Sequence, residues 1–267
     1  MHAPLDEMLS AAIAASEVIV EVYEREVVAS HKADGSPVTE ADARAEEIIL
    51  ERLAPIGLPV LAEESVAAGH IPQLGRHYFV VDPLDGTREF LKRNGEFTVN
   101  IALCEDGRPV AGVVLAPATG MTYWGSADGA FGGTVEHGDM HGHHRIEVSA
   151  DGPVRIVASR SHGHPALKTL CENMQVVADV SVGSSLKFGL LASGAAQLYP
   201  RFGPTCEWDT AAGQAVLEAA GGVVLRLDGM PLTCGHVAQK FLNPPFVAAA
   251  SRALADAAIE EIRRIPG

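Results

Sequence analysis

Two carboxylates stand three residues apart at the end of an apolar stretch of the sequence. They are Asp82 and Asp85, in the string VDPLDGT at residues 81–87. Carboxylate oxygens and the Leu84 carbonyl are hard donors of the kind that Mg²⁺ prefers, and Mg²⁺ leaves its other positions to water and phosphate. Gly86 allows close approach of a ligand to the backbone, and a helix beginning there would offer free N–H groups to a phosphate. The segment therefore predicts a magnesium site that also accepts phosphate.

Two other places in the sequence supply carboxylates of the same kind. Glu63 and Glu64 follow a short apolar stretch, and Asp209 follows Trp208 at the predicted start of a helix. Taken alone, the glutamates would suggest a solvated loop and Asp209 a helix N-cap. A phosphatase with several metal ions needs many carboxylates at one site, however, because they offset the charge of the metals.

The first half of the chain combines two helices with a series of strands. Helical spacing of apolar residues predicts a helix over 4–27, and Thr39 with Asp42 resembles a capping box that opens a second helix through Leu53. Strands are predicted at 60–62, 78–81, 98–103, 110–116, 121–125 and 130–132. Asp-Gly pairs at 106–107 and 128–129 are typical of hairpin turns, so the strands are expected to form an antiparallel meander.

The second half alternates short strands with helices, which predicts an α/β arrangement. Strands are predicted at 154–158, 176–180, 196–199, 223–225 and 247–249, and helices near 165–174, 185–192, 209–220 and 252–264. Residues 136–144 are interpreted as a boundary loop between an N-terminal domain, 1–145, and a C-terminal domain, 146–267. This segment holds His137, His141, His143 and His144. It lacks cysteines and is Gly-rich, which favours a solvated loop over a zinc site.

Composition excludes several classes of function. The net charge of −14 makes nucleic-acid binding through a basic face implausible. An apolar run of the roughly 20 residues needed to cross a bilayer is missing from the sequence, which predicts no integral membrane segment. The four cysteines are far apart, and the N-terminal residues lack the basic region of a signal peptide. A cytoplasmic location with reduced thiols is expected.

Three motifs in register resemble the signature of the inositol monophosphatase superfamily: Glu63-Glu64-Ser65, VDPLDGT, and WDTAAG at 208–213. The resemblance covers nearly the whole chain. It implies a layered αβαβα sandwich of the α/β class, with an α+β N-terminal half and an α/β C-terminal half. It also implies two or more Mg²⁺ ions. The metal ligands that it implies are Glu63, Asp82, the Leu84 carbonyl, Asp85 and Asp209.

Within the superfamily the sequence most resembles the 3'(2'),5'-bisphosphate nucleotidases of the CysQ type. The segments KADGSPVTEAD at 32–42, REFLKRNGEFTVNI at 88–101, GSSLKF at 183–188 and YPRFGP at 199–204 carry this likeness. The resemblance implies that Asp34 and Thr87 orient and activate the attacking water, with Glu64 beside the metal ligands. It further implies inhibition by Li⁺.

A bisphosphate substrate needs a second anion site, and Lys187 is the main candidate for it. Lys187 follows Gly183-Ser184-Ser185 at the start of a predicted helix, so hydroxyls, amides and an ammonium could converge there. Arg201 is a second candidate, and for Arg160 a surface charge is equally plausible. His162 and His164 remain undecided. The predicted substrate-binding set is Glu63, Leu84, Asp85, Gly86, Thr87, Ser184, Lys187, Arg201 and Asp209.

The expected reaction is hydrolysis of 3'-phosphoadenosine 5'-phosphate to AMP and phosphate, a step linked to sulfate assimilation. Two alternatives stay open: an inositol-phosphate or broad sugar-phosphate phosphatase with the same metal site, and a catalytically silent sensor that binds the nucleotide. Asp34, Thr87 and the four carboxylates argue against the sensor, because a binding protein needs no pair that activates water. Superfamily members are often dimeric, which leaves a homodimer open.

Overall fold

The computed structural model describes residues 2–25, 29–32, 35, 37–158 and 165–265 of the 267-residue chain. The helices are α1 (His2–Tyr23), α2 (Glu40–Leu53), α3 (Glu63–Ala67), α4 (Thr87–Leu91), α5 (Pro165–Asn173), α6 (Leu186–Ala192), α7 (Ala211–Ala219) and α8 (Arg252–Arg264). The strands are β1 (Ser30–His31), β2 (Pro37–Val38), β3 (Val60–Ala62), β4 (His77–Asp85), β5 (Thr98–Glu105), β6 (Arg108–Leu115), β7 (Met121–Ser126), β8 (Gly129–Glu136), β9 (Asp139–Ile146), β10 (Arg155–Ala158), β11 (Ala178–Ser181), β12 (Leu198–Arg201), β13 (Val223–Arg226) and β14 (Phe246–Ala249). Within the described part of the chain, no helix is long and apolar enough to cross a membrane.

Seven strands form one sheet in the order β3-β4-β5-β6-β7-β8-β9. The strands from β4 onward are antiparallel neighbours, which confirms the predicted meander. β3 lies parallel to β4, with Ala62 beside Val81. Because these two strands run in the same direction, the residues after Ala62 and Val81, which are Glu63 and Asp82, are brought together.

The second sheet has five strands in the order β11-β10-β12-β14-β13. Helices α1 and α2 cover one face of the seven-stranded sheet, and α6 and α7 lie between the two sheets. Helices α5 and α8 pack beyond the smaller sheet. This order of layers is the predicted αβαβα sandwich. The last strand of the large sheet ends at Ile146 and the first strand of the small sheet begins at Arg155, and a division into two domains at residue 145 stays a prediction.

Alternation of side chains along the large sheet builds two separate hydrophobic cores. On β4, Phe79 and Val81 belong to the core under α1 and α2, whereas Tyr78 and Val80 belong to the core shared with α6 and α7. Successive side chains of a strand point to opposite faces, so a continuous apolar run fills both layers. A third core joins the small sheet to α5 and α8.

β4 continues through the carboxylate segment instead of ending before it, which corrects the predicted strand end at residue 81. Asp82 pairs with Asn100 on β5, and Asp85 pairs with Thr98. Between these two pairs β4 advances by three residues while β5 advances by two. β4 therefore contains one extra residue, which forms a β-bulge. Residues three apart on a regular strand face opposite sides. The bulge restores the alignment, so Asp82 and Asp85 share a face.

Residues 136–144 do not form the predicted boundary loop. They contain the end of β8, a tight turn at His137 and Gly138 with φ of 53° and 85°, and most of β9. Backbone pairing with β8 overrides a Gly- and His-rich composition that has little strand preference. His141, His143 and His144 lie exposed on this strand.

Several other boundaries differ from the predictions by a few residues, and two of these differences lie in the first 40 residues. Helix α1 ends at Tyr23 and not at residue 27, because the Arg25 N–H bonds to the Val22 carbonyl and tightens the last turn; residues 26 and 27 lie outside the described ranges. In the predicted loop over 31–38, β1 and β2 form a two-residue antiparallel pair. The capping box at Thr39 and Asp42 is confirmed, and α2 ends at Leu53 as predicted.

Close approach of α7 to the large sheet depends on two glycines. A Cβ atom on Gly112 of β6 would lie 2.3 Å from the Ala212 carbonyl oxygen, and one on Gly125 of β7 would lie 2.8 Å from the Ala219 Cβ. Helix α7 begins two residues after Asp209. Its seat on the sheet therefore sets where that carboxylate lies.

We predict that Gly112→Ala lowers the free energy of unfolding by about 1–3 kcal/mol, because the new methyl group meets helix backbone that cannot rotate away. Urea denaturation measures the change. Gly75→Ala is the matched control, since a Cβ there meets nothing closer than the His77 carbonyl oxygen at 3.9 Å. Equal stability of Gly112→Ala and the control would contradict the close contact.

Candidate active site

The carboxylates that follow β3 and lie on β4 meet at one edge of the large sheet. Glu63 opens α3, and Asp82 lies in the bulged part of β4, where it is 1% exposed. Asp82 Oδ1 accepts a hydrogen bond from the Leu84 N–H at 3.0 Å. The carboxyl groups of Glu63 and Asp82 are close enough for each to influence the pKa of the other. These contacts hold two candidate metal ligands side by side.

Gly86 and Thr87 turn the chain out of β4 and into α4. Gly86 has a φ of 95°, a left-handed conformation that other residues rarely adopt, and it is the N-cap of α4 as expected. Thr87 Oγ1 lies 3.1 Å from Asp42 Oδ1 and 3.4 Å from the Leu84 carbonyl oxygen. The other carboxylate oxygen, Asp42 Oδ2, accepts from the Thr39 N–H and hydroxyl at 2.8 and 2.7 Å.

Asp42 thus has a position that sequence analysis did not recognise. It was interpreted as a partner in the capping box of α2, which it is, and the same carboxylate also reaches Thr87. The proposed water-activating partner of Thr87 was Asp34, and Asp34 lies outside the described residues. The capping of α2 with Thr39 was enough to explain an aspartate at position 42. The sequence therefore gave no reason to expect its contact with Thr87, which is 45 residues away.

Asp209 enters the site from the C-terminal half, but it is not the helix cap that the sequence suggested. Thr210 is the N-cap of α7, and Asp209 Oδ2 instead accepts from the Cys206 N–H at 2.8 Å. The turn over residues 206–210 therefore holds the carboxylate away from the amides of the helix. Asp209 remains directed toward the carboxylates of the N-terminal half, as its repulsion by Asp85 and Glu63 shows.

Ser185 joins the two halves at this point. Its hydroxyl oxygen lies 2.8 Å from Asp85 Oδ2 and 2.7 Å from the Asp209 carbonyl oxygen. The Asn100 side-chain amide donates to the same hydroxyl at 2.9 Å. From the sequence, Ser185 was expected only as one of the hydroxyls near the second anion site and not as a contact of Asp85, and Asn100 was not singled out, since an asparagine within a strand carries no signal by itself.

Lys32 supplies a positive charge to the acidic site. Its Nζ lies 2.6 Å from Glu63 Oε1 and 2.6 Å from Glu64 Oε1. Burial opposes the charged form of Lys32, but the two carboxylates outweigh that effect and raise its pKa. Sequence analysis quoted Lys32 only within a motif. A lysine 31 residues away from its partners could not be assigned a role from spacing.

Burial and mutual repulsion shape the electrostatics of the carboxylates. Burial, followed by repulsion from Glu63, Asp85 and Asp209, raises the pKa of Asp82 well above its usual range. Burial and then the charges of Asp85 and Glu63 do the same to Asp209. Burial also raises the pKa of Asp85, although Lys187 and Ser185 oppose it. Buried like charges this close together call for a cation between them.

Burial raises the pKa of Glu64 to about 7, even though Lys32 opposes the shift. Glu64 faces a separate acidic depression beside α2, which Glu46, Glu47 and Glu51 also line. Glu46 fixes the first turn of α3, because its carboxylate accepts hydrogen bonds from the N–H groups of Glu64 and Ser65 at 2.8 Å.

The donor chemistry of this site fits a hard divalent cation. Glu63, Asp82, Asp85 and Asp209 offer carboxylate oxygens, and the carbonyl of Leu84 lies between the two β4 carboxylates. As the side chains stand, no group of three or more His, Cys, Asp or Glu among the described residues could hold a metal ion. Lys32, Ser185 and the Cys206 N–H already engage oxygens of Glu63, Asp85 and Asp209. Binding would require these oxygens to turn from their present partners toward the cation.

A pocket opens directly beside the carboxylates. Of the predicted residues it is lined by Asp85, Gly86, Ser184, Lys187, Arg201 and Asp209. Lys187 is 5% exposed, and its Nζ donates to the Ser184 carbonyl at 2.7 Å and lies 5.7 Å from the centre of the Tyr199 ring. Burial lowers the pKa of Lys187 to about 8, although Asp85 opposes the shift. The pocket thus has a cationic wall, with Lys187 and Arg201, and an anionic wall, with Asp85 and Asp209.

Ser184 and Arg201 complete the cationic wall. Ser184 has a φ of 46°, and its buried hydroxyl has no hydrogen-bond partner within the described ranges. The Arg201 guanidinium donates to the carbonyls of Gly203 and Pro204 at 3.1 and 2.9 Å, which fixes its orientation. The other candidates of this region, Arg160, His162 and His164, lie outside the described residues.

Comparison with known proteins places this geometry in a family. The model of the inositol monophosphatase family matches residues 3–266, and the chain belongs to this family. It is therefore a metal-dependent phosphatase.

Individual members of the family differ in how similar they are to this chain. The chain is 44% identical to the 3'(2'),5'-bisphosphate nucleotidase CysQ of Escherichia coli K12 over 246 residues, which are 91% of this chain and 98% of that protein. The solved structure of CysQ from Bacteroides thetaiotaomicron is 36% identical with a TM-score of 0.78, covering 92% of this chain and 97% of that one. An inositol monophosphatase from Anabaena is 25% identical with a TM-score of 0.76, covering 99% and 97%.

We predict that Asp82→Asn makes the metal-free protein more stable at neutral pH, by about 1–3 kcal/mol, because it removes one charge from a repelling buried cluster. A carboxyl group whose pKa is raised on folding contributes stability below the pKa of the unfolded chain. That stability is lost as pH rises through the higher folded pKa. Urea denaturation in a chelator across this pH range should therefore show a steeper decline for the wild type than for Asp82→Asn.

Added Mg²⁺ should reverse the order of the two proteins. It stabilises the wild type by binding the folded state, and Asp82→Asn should gain much less. Asp139→Asn, an exposed carboxylate on β9, is the control. A metal-free Asp82→Asn less stable than the wild type, or an equal gain from Mg²⁺, would contradict the cluster.

Proposed function

We propose that this chain hydrolyses the 3'-phosphate of 3'-phosphoadenosine 5'-phosphate, giving AMP and phosphate, at the site formed by Asp82, Asp85 and Asp209. The CysQ nucleotidases that it resembles support this substrate class. A location in the cytoplasm and a homodimer stay predictions.

The observation that carries the proposal is the pairing of two unlike walls in one pocket. The acidic wall, with Asp85 and Asp209, suits a metal-bound phosphate that reacts. The cationic wall, with Lys187 and Arg201, suits an anionic group that does not react. A substrate with a single phosphate would engage only the acidic wall, whereas a bisphosphate can engage both, its second phosphate accepting from Lys187 and Arg201.

We assign the metal positions to Mg²⁺, two or more ions, with Glu63, Asp82, the Leu84 carbonyl, Asp85 and Asp209 as ligands. Mg²⁺ would supply positive charge that offsets the negative charge of the phosphate as it reacts. Hard oxygen donors favour this ion over softer metals. Sensitivity to Li⁺ belongs to the same proposal, since a small hard cation would compete for such a position.

Thr87 and Asp42 are the pair that we assign to the attacking water. Thr87 donates its hydroxyl proton to Asp42 Oδ1, so the Thr87 oxygen keeps lone pairs that can accept a hydrogen bond from water. Asp42 is 1% exposed, and burial raises its pKa despite two bonds from Thr39. A carboxylate poised in this way accepts a proton through the threonine. The corresponding role of Asp34 stays a prediction.

A panel of three substrates tests the proposed function. We expect phosphate release from 3'-phosphoadenosine 5'-phosphate to exceed that from inositol 1-phosphate and fructose 1,6-bisphosphate by at least tenfold in kcat/KM, about 1.4 kcal/mol in transition-state free energy. Chelation of Mg²⁺ should abolish turnover of all three. Preference for inositol 1-phosphate would favour the inositol-phosphatase alternative, and binding without turnover would favour the silent sensor.

Lys187→Ala separates the two walls of the pocket. A charge-assisted contact to phosphate is worth roughly 1.5–3 kcal/mol, so kcat/KM on the bisphosphate should fall on the order of 10- to 150-fold. Activity on adenosine 3'-monophosphate should change little, because that substrate lacks the second group. Lys168→Ala is the control, since this side chain is 84% exposed. Equal losses on both substrates would assign Lys187 to the fold or the reacting phosphate.

The pH profile gives an independent readout of the same contact. Lys187 is charged below its pKa of about 8 and becomes neutral above it. KM for the bisphosphate should therefore rise above that pH, while KM for the 3'-monophosphate should not.

A further inference from the structure

The hydroxyl of Ser185 does not make the contact that its position suggests. Ser185 is the N-cap residue of α6, where a serine normally accepts a hydrogen bond from an amide of the first turn. Within the part of the chain that the structure describes, the side chain makes no such bond. The hydroxyl turns instead toward the carboxylate cluster and is buried with the rest of the residue, which is 2% exposed.

Three segments of the chain meet at this one oxygen atom. Asp85 contributes Oδ2 at 2.8 Å from the end of β4, and Asp209 contributes its main-chain carbonyl at 2.7 Å from the turn before α7. Asn100 on β5 donates its amide at 2.9 Å. Because Asn100 occupies a lone pair of the hydroxyl, the single hydroxyl proton is left for Asp85 or for the Asp209 carbonyl.

These bonds cross between the two halves of the molecule. Asp85 belongs to the large sheet and Asp209 to the turn that precedes the helix layer, and each repels the charge of the other. The Ser185 oxygen lies within hydrogen-bond distance of the side chain of one and the backbone of the other, and its one proton can be donated to either. A donor shared in this way limits how far the repulsion can move the two residues apart.

The hydrogen bonds of the Ser185 side chain are not what holds α6 in place. Packing of α6 against α7 relies on apolar contacts, such as Phe188 against Gly213, where a Cβ would lie 2.4 Å from the ring. Those contacts hold the helices together whether or not Ser185 carries a hydroxyl. The polar contacts of Ser185, by contrast, are with the candidate metal ligands Asp85 and Asp209 and with Asn100.

We propose that Ser185, supported by Asn100, is a positioning residue that sets the distance between Asp85 and Asp209 and thereby the affinity of the site for a divalent cation. The inference rests on the metal-ligand assignment of the proposed function. Hydrogen bonds behind a ligand carboxylate restrict its rotation, so the cation meets oxygens that are already oriented. Loss of the hydroxyl removes the shorter side-chain hydrogen bond to the Asp85 carboxylate, which keeps its charge and the longer bond from Asn100 Nδ2 at 3.4 Å.

Calorimetric titration of metal-free protein with Mn²⁺ or Mg²⁺, in the absence of substrate, tests the inference. Ser185→Ala should weaken cation binding by about 10- to 100-fold, the range typical of lost outer hydrogen bonds to metal ligands. Asn100→Ala should weaken it in the same direction but less, because Ser185 can still reach Asp85. Ser193→Ala is the matched control at the other end of α6, where an exposed hydroxyl bonds to the Leu190 carbonyl at 3.3 Å.

Ser185→Thr retains a hydroxyl and should recover most of the lost affinity. In activity assays, Ser185→Ala should raise the Mg²⁺ concentration for half-maximal rate while leaving KM at saturating Mg²⁺ close to that of the wild type. Unfolding in chelator shows whether the alanine variant is folded. If it is not, the comparison of Asn100→Ala with Ser193→Ala decides.

The outcomes separate this inference from the proposed function. Cation affinity of Ser185→Ala within about twofold of the wild type, well short of the tenfold loss expected, would overturn the positioning role and leave the substrate assignment intact. A preference for inositol 1-phosphate with the expected loss of cation affinity would overturn the substrate assignment and leave the positioning role intact. A wild-type protein that binds no divalent cation would overturn both.

Discussion

Burying four carboxylates beside one another is the constraint on which the rest of this structure depends. Asp82 and Asp209 have their pKa values raised by burial and by their neighbours, so the arrangement opposes folding unless something holds it together. Lys32 offsets the charge of Glu63. The backbone N–H groups of Leu84 and Cys206 donate hydrogen bonds to the carboxylates of Asp82 and Asp209. The three hydrophobic cores supply the remaining stability, and two of them reach the site through Leu84, Phe188 and Tyr199.

The fold was largely predictable from sequence because its elements have strong local signals. Alternating apolar strands, Asp-Gly turns and the Thr39 capping box each specify structure within a few residues, and the structure confirms them. The family motifs then supplied the order of layers. The histidine-rich strand β9 was missed because it is held by pairing with β8, and its own composition favours a loop.

The site was predictable as a set of residues but not as a set of contacts. Asp82 and Asp85 are recognisable as a pair, yet the bulge that turns them to one face is a property of the pairing with β5. Asp42 had a complete local explanation as a cap partner, which hid its contact with Thr87. Ser185 and Lys32 act across 100 and 31 residues of sequence, distances at which spacing carries no information.

The origin of each wall of the pocket has a consequence for how such a protein can change over evolution. Asp82 and Asp85 lie on the large sheet and Glu63 follows it at the start of α3, whereas Lys187 and Arg201 come from α6 and β12. The glycine-dependent seat of α7 fixes the depth at which the C-terminal half meets the sheet. Substitutions on α6 and β12 can therefore exchange one anionic partner for another while the reacting centre is inherited unchanged. Such a division lets one hydrolytic centre serve a succession of phosphate esters.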